Sequence, residues 1–282
     1  MRAVRTVPAV VGAAVVLTAA AATLAPSTAQ AAVACNEGAL VAAVNAANAA
    51  GGGNIVLATN CTYTITAPHS NDGEGPNALP VITTAITLTG DTDTIARSSA
   101  PGTPAFRIAK VAAGGSLTLK GKVTLRNGNA ATDGGGILNH GSVTLTASAL
   151  TGNTAAGRGG ALANADTAAP AAGPAATFTD STVSSNGSTG QGGGVYNGLR
   201  GALTTTGSSV TNNSSGAQGG GIAAVDSAST TLTSTPVSAN SATTAAGVYR
   251  RNGAMTLTTS PVSGNVPNNC VGSSPAVPGC VA

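Results

Sequence analysis

Six asparagines recur along the chain, Asn129, Asn153, Asn186, Asn213, Asn240 and Asn265, at intervals of 24, 33, 27, 27 and 25 residues. A turn residue returning at that period marks a solenoid, in which each repeat stacks on the one before. Five of the asparagines end a common phrase: Leu150-Thr-Gly-Asn153, Val183-Ser-Ser-Asn186, Val210-Thr-Asn-Asn213, Val237-Ser-Ala-Asn240 and Val262-Ser-Gly-Asn265. Glycine clusters and an apolar residue follow, at Gly134 to Ile137, Gly159 to Ala161, Gly192 to Val195 and Gly219 to Ile222. The fifth cluster is eroded to Ala246-Gly247-Val248. Alternating runs precede the asparagines: Val143-Thr-Leu-Thr146, Ala176-Thr-Phe-Thr179, Leu203-Thr-Thr-Thr206, Thr230-Thr-Leu-Thr233 and Met255-Thr-Leu-Thr258.

Period-2 alternation makes a strand with Val, Leu or Phe inward and Thr outward. Three strands of about 4–5 residues and three turns fit each repeat. Stacking such coils about 4.8 Å apart pairs each strand in parallel with its neighbours. The asparagine is expected to take the left-handed backbone of its turn and to bond its amide to the next coil as a ladder. The glycines supply positive φ at another corner. From Asn54 to Asn265 this predicts eight or nine coils in a rod about 40 Å long.

The first residues read differently. Arg2 and Arg5, the apolar stretch Val7 to Ala22, and Ala29-Gln-Ala31 form a secretory signal peptide cut after Ala31. No other apolar run reaches the roughly 20 residues of a membrane span. Without the leader the chain carries 10 basic and 9 acidic residues, a balance of +1. Nucleic acid needs a concentrated basic footprint and is excluded as a partner. Four cysteines in a secreted chain predict two disulfides, Cys35–Cys61 and Cys270–Cys280, one at each open end of the stack. Leu40, Val41, Val44 and Ala47 lie on one face of a predicted helix over Glu37–Ala50, closed by Gly51-Gly-Gly53. It is expected to cap the first coil. The division is therefore residues 1–31 leader, 32–62 N-terminal cap, 63–266 β-helix and 267–282 C-terminal cap. Asp166–Pro174 reads as an inserted surface loop.

The phrases GGGILN, GGALAN and GGGVYN, alternating with LTGN, VSSN and VSGN, resemble the GGA[ILV] and FxxN elements of polymorphic outer-membrane protein repeats. Over residues 35–280 the chain is similar to secreted right-handed parallel β-helix proteins of high-GC bacteria, in the pectin-lyase-like superfamily. The resemblance implies an all-β, right-handed parallel β-helix, and among possible activities polysaccharide lysis or hydrolysis. Val or Leu stands here in place of the Phe of FxxN.

The residues such enzymes need are scarce. Asp91 and Asp93 are a close acidic pair, and their place in a turn explains them. Arg107, Lys110 and His140 faintly match lyase elements in reversed order, and His140 reads as a solvated turn residue. His69 and His140 have no ligand spacing, so neither metal nor cofactor is expected. Two outward features remain. Tyr196 and Tyr249 each follow an inward Val, two coils or about 10 Å apart, with Arg200, Arg250 and Arg251 nearby. They are the candidate binding residues for an acidic sugar or cell-wall polymer. Thr144/Thr146, Thr177/Thr179, Thr204/Thr206, Thr231/Thr233 and Thr256/Thr258 form T-x-T pairs on five coils. That grid resembles the ice-binding face of β-helical antifreeze proteins, and Lys120 interrupts it one coil earlier. The expectation is a secreted, monomeric, non-catalytic, adhesin-like protein that binds polysaccharide or cell wall. The alternatives are a polysaccharide lyase or glycoside hydrolase using Asp91 and Asp93 beside Arg107 or Lys110, and a structural or ice-binding rod.

Overall fold

A computed structural model describes Ala3, residues 30–165 and residues 173–281. Apart from Ala3, Gln30 and Ala31, the expected signal peptide lies outside the described residues, as do residues 166–172 of the expected inserted loop.

From Ala31 onward the chain is a parallel β-solenoid. The first sheet pairs eight strands in the order Gly52–Val56, Ala85–Thr89, Ser116–Lys120, Ser142–Thr146, Ala175–Thr179, Ala202–Thr206, Ser229–Thr233 and Ala254–Thr258. The second also has eight, running from Thr62–Ile65 to Val262–Ser263. The third has six, from Ala109–Val111 through Ile137–Asn139, Leu162–Asn164, Val195–Asn197 and Ile222–Val225 to Val248–Arg251. Six coils are thus closed on all three sides, fewer than the eight or nine expected. The first and the last coil each lack a third-sheet strand, and at the first the cause is local. After its second strand the first coil leaves the repeat, and residues 66–84 run as a strap across the edge of the third sheet. The strap carries the short antiparallel pair Ser70–Asn71 and Pro76–Asn77. It touches the sheet at the bridges Asn77 to Arg107 and Ile82 to Val111.

The inward columns follow from alternation and strict register. Leu119, Leu145, Phe178, Thr205 and Leu232 stack on successive rungs and are all buried. Thr205 breaks the apolar column, and its hydroxyl donates to Thr235 Oγ1 at 3.0 Å, which meets the cost of burying it. The residues standing for the Phe of FxxN, Leu150, Val183, Val210 and Val237, also point into the core.

The asparagine ladder is real, with two corrections. Asn153, Asn186, Asn213 and Asn240 each donate Nδ2 to the next asparagine's Oδ1, at 2.9–3.1 Å. The same oxygens accept from the backbone N–H of the previous asparagine, and each Nδ2 also reaches a backbone carbonyl. Asn129 does not belong to the ladder. Register pairs it with Thr154, so Gly128 holds the ladder position and gives its N–H to Asn153 Oδ1 at 2.9 Å. The interval of 24 concealed this one-residue slip, and Asn129 is left exposed. Nor do the ladder asparagines take the left-handed backbone. The residue before each does so, Gly152, Ser185, Asn212, Ala239 and Gly264, at φ 55° to 64°. That residue turns the chain and swings the following amide inward.

The glycine corner behaves as expected. Gly134, Gly159, Gly192 and Gly219 have φ between 67° and 74°, and Ala245 takes φ 48° in the eroded coil. A Cβ on Gly135 would meet a carbonyl oxygen at 2.2 Å, so the cluster also permits close stacking of coils. Two further ladders were not read from the sequence. Asn139 donates to Asn164 at 2.7 Å, Asn164 to Asn197 at 2.8 Å, and Asn197 to Thr230 Oγ1 at 2.9 Å. At the remaining corner Ser148, Ser181 and Ser208 link by N–H to Oγ bonds of 3.1–3.2 Å.

Both ends are covered. The helix α1 (Glu37–Ala49) starts at Asn36, whose side chain accepts from Ala39 N–H at 2.9 Å, and lays Leu40, Val44 and Ala47 on the core. Val41 is only half-buried. Cys35–Cys61 fastens this cap. At the other end Asn269 accepts from Asn265 Nδ2 at 3.0 Å and ends the ladder, and Cys270–Cys280 closes the last loop.

Candidate functional site

The third sheet's outward face and the strap enclose a cluster of charged groups. Lys110 points outward from Ala109–Val111, yet its side chain is only 6 % exposed, because the strap lies over it. Its ammonium donates to both Asp72 and Glu74 of the strap. Glu74 also meets His140 Nε2 at 3.1 Å, while His140 Nδ1 bonds the carbonyl of Ala165 at 2.6 Å. His140 is therefore not the solvated residue expected, since 8 % of its side chain is exposed. Arg107, 1 % exposed, directs its guanidinium at the strap. It donates to Asn77 Oδ1 at 2.7 Å and to the carbonyls of Glu74, Gly75 and Asp133 at 2.7–3.3 Å.

A second group adjoins the first. Asp133 accepts from Arg158 N–H, Nε and Nη2 at 2.7–3.1 Å. Arg158 Nη1 donates to Tyr196 Oη at 2.8 Å, and the guanidinium carbon stands 4.4 Å from the ring centre. Between the groups is a cleft of about 180 Å³, lined by Glu74, Thr132, Asp133, Leu138, His140, Arg158 and Ala165.

The charges perturb one another. Burial pushes the Glu74 carboxyl up, but the bond from Lys110 and the charge of His140 outweigh it and hold the group below its ordinary value. Asp72 follows the same pattern, with burial opposed by the Lys110 bond and charge. Burial lowers the Arg107 guanidinium, against the pull of Glu74, Asp72 and Asp133. Burial also works against charged Arg158, but the Asp133 bond and charge raise it overall. Tyr196 is raised, chiefly by burial.

The residues expected from sequence fall out as follows. Tyr196, Ala223 and Tyr249 do share one outward column, two coils apart. Tyr196, however, is 4 % exposed, packed with Ala165, Ala223 and Val225, and Tyr249 is half-buried. Arg158 occupies the ring face that a sugar would need. Arg250 is committed to the carbonyls of Gly253 and Ala276 at 2.6–3.1 Å. Arg251 pairs with Asp226 at 2.7 Å, and Arg200 sits half-buried in a turn at φ 57°. The expected stacking platform is not assembled. Asp91 and Asp93 do not meet Arg107 or Lys110. Asp93 is buried and caps its own turn, accepting from Cys61 N–H and Asp91 N–H at 2.8 Å, while Asp91 faces Lys122 at 3.9 Å.

No family model, curated protein or solved structure matches the chain. Among the described residues no helix is long and apolar enough to cross a membrane, and no group of three or more His, Cys, Asp or Glu is placed to hold a metal ion.

Proposed function

We propose that the chain is a secreted, monomeric, right-handed β-helix of the pectin-lyase-like kind, which binds polysaccharide or cell wall without cleaving it. The site is the cleft between strap and third sheet. One observation carries the reading: directional hydrogen-bonding groups from Glu74, Asp133, His140 and Arg158 converge on a concave site with the apolar side chains of Leu138 and Ala165 in its wall. Right-handed turns are the usual hand for parallel strand connections. Two disulfides support an oxidising compartment. The cleft's two carboxylates disfavour a polyanion, so the ligand is a neutral glycan whose hydroxyls donate to Glu74 and Asp133. This replaces the acidic sugar suggested by Tyr196, Tyr249 and the arginines.

The test is a pull-down of the protein with neutral and acidic polysaccharides and purified cell wall, with the supernatant assayed for new reducing or unsaturated ends. Binding to neutral polymer should fall about tenfold in Arg158→Ala, the loss of roughly 1.4 kcal/mol. Tyr249→Ala should leave it unchanged. Release of products would sink the non-catalytic reading and assign Glu74 and His140 to acid–base work.

A second reading has its own support. Register places Thr87, Thr118, Thr144, Thr177, Thr204, Thr231 and Thr256 in one outward column of the first sheet. That carries one column of the expected grid two coils further, with Lys120 still breaking the other, and favours a structural or ice-binding rod.

A further inference from the structure

We propose that the tip of the strap, residues 71–75, is released by acid, so that the cleft keeps its shape near neutral pH and loses it in strong acid. The consequence for ligand uptake rests on the reading of the cleft given above, but the motion of the strap does not.

The strap leaves the repeat but is pinned on both sides of its tip: backbone bonds join residues 76–82 to Arg107, Ile108 and Lys110, and Glu37 of α1 holds Thr66, Ala67 and His69. The tip, residues 71–75, is held through Asp72 and Glu74. The Glu74 carbonyl accepts from Arg107 Nη2 and Thr132 Oγ1, both at 2.7 Å. Its carboxylate takes Lys110 and His140, and Asp72 adds a second carboxylate to Lys110. Lys110 and His140 belong to the sheet side and are nearly buried, while the carboxylates of Asp72 and Glu74 belong to the strap and are about one-third exposed. The groups facing Glu74 are therefore Lys110, Arg107 and His140 from the third sheet and Asp72 from the strap. Asp133, with Arg158, faces it across the cleft.

The direction of the effect follows from the lowered carboxyls. A group held below its ordinary value adds stability that is complete above that value, about 4.3 for a free glutamate. That stability is lost as pH falls through the lowered one. Once Glu74 and Asp72 are protonated, the nearly buried Lys110 ammonium is left without its two anions, and an unpaired buried charge is costly. The rungs beneath depend mainly on backbone, asparagine and serine bonds, which do not titrate. Opening should then be local.

Hydrogen–deuterium exchange on the unliganded full chain tests this, with rates corrected for the intrinsic effect of pH. Peptides from residues 69–76 should lose at least about tenfold of their protection in Glu74→Gln at pH 7, the loss of one charge-assisted bond. Wild type should do the same below about pH 4, with Leu162–Asn164 still protected. Asp72→Asn should give a smaller change and serves if Glu74→Gln folds poorly. Unchanged protection in both variants overturns the strap, as does acid exchange that rises equally along the whole chain. If the strap opens as stated but wild type binds no polysaccharide at pH 7, the glycan reading fails and the strap stands.

Discussion

The outward faces of the first and third sheets are built on the same coils and share almost nothing else. On the first, one position reads Thr on seven successive rungs, and its neighbour two residues along reads Thr89, Lys120, Thr146, Thr179, Thr206, Thr233 and Thr258. On the third, one column reads Lys110, Leu138, Ala163, Tyr196, Ala223 and Tyr249. A strict repeat copies one side chain onto every rung, which makes a flat surface and no cavity. Cavities need departures from the repeat. The third side is where the chain departs, with residues 66–84 folded back over its edge, and there the buried charges gather. Regularity builds this molecule, and irregularity gives it a cleft.

The comparison breaks most easily at Arg107. Its guanidinium holds strap to sheet through several acceptors while almost wholly buried. Arg107→Ala should cost about 3–5 kcal/mol, because it strands those carbonyls and leaves a carboxylate cluster short of charge. Thr204→Ala, on the regular face, should stay within about 0.5 kcal/mol. Urea unfolding midpoints measure both. Equal shifts would mean that the strap contributes nothing to the fold and that the two faces do not differ in stability. A smaller effect is expected at Arg158, whose partners Asp133 and Tyr196 are reached through a side chain 44 % exposed. Arg158→Ala should lose about 1 kcal/mol, given screening of the ion pair and the modest worth of a cation–ring contact.

The same division decides what could be read from the chain. The coils were legible because every rung repeats its phrase, so the strands, glycine corners and caps follow from local pattern. Errors arose where one phrase was imperfect. Asn129 looked like a ladder member because Asn127-Gly-Asn129 keeps the residue type and shifts it by one. The site was illegible for the opposite reason. Glu74 and His140 lie 66 positions apart, and Asp72 and Lys110 lie 38 apart, in phrases that never recur. Tyr196 was rightly placed on the outer surface, but alternation gives direction and not cover, and Arg158 lies 38 residues earlier. One signal was available. Asp72, Glu74 and His69 crowd a non-repeating stretch of a chain with only 9 acidic residues, and a break in a solenoid is where a surface loop can carry function.

The smallest predicted change in stability sharpens the contrast from the regular side. Thr177→Val with Thr204→Val replaces two outward hydroxyls at mid-column by methyls of the same shape. Both residues are exposed and sit opposite each other in register. Val fits a strand as well as Thr does, so the urea midpoint should move by no more than about 0.5 kcal/mol equivalent. Polysaccharide binding at the cleft should not move at all, because the substitutions lie on another sheet. Thermal hysteresis and ice-crystal shape, measured on wild type and on Thr177→Lys with Thr204→Lys, then separate the two surfaces. If wild type shapes ice and Thr177→Lys with Thr204→Lys does not, the repeated face has a role of its own, and regularity has produced a binding surface without a cavity. If neither protein affects ice, the threonines are explained by strand propensity and cross-strand packing alone.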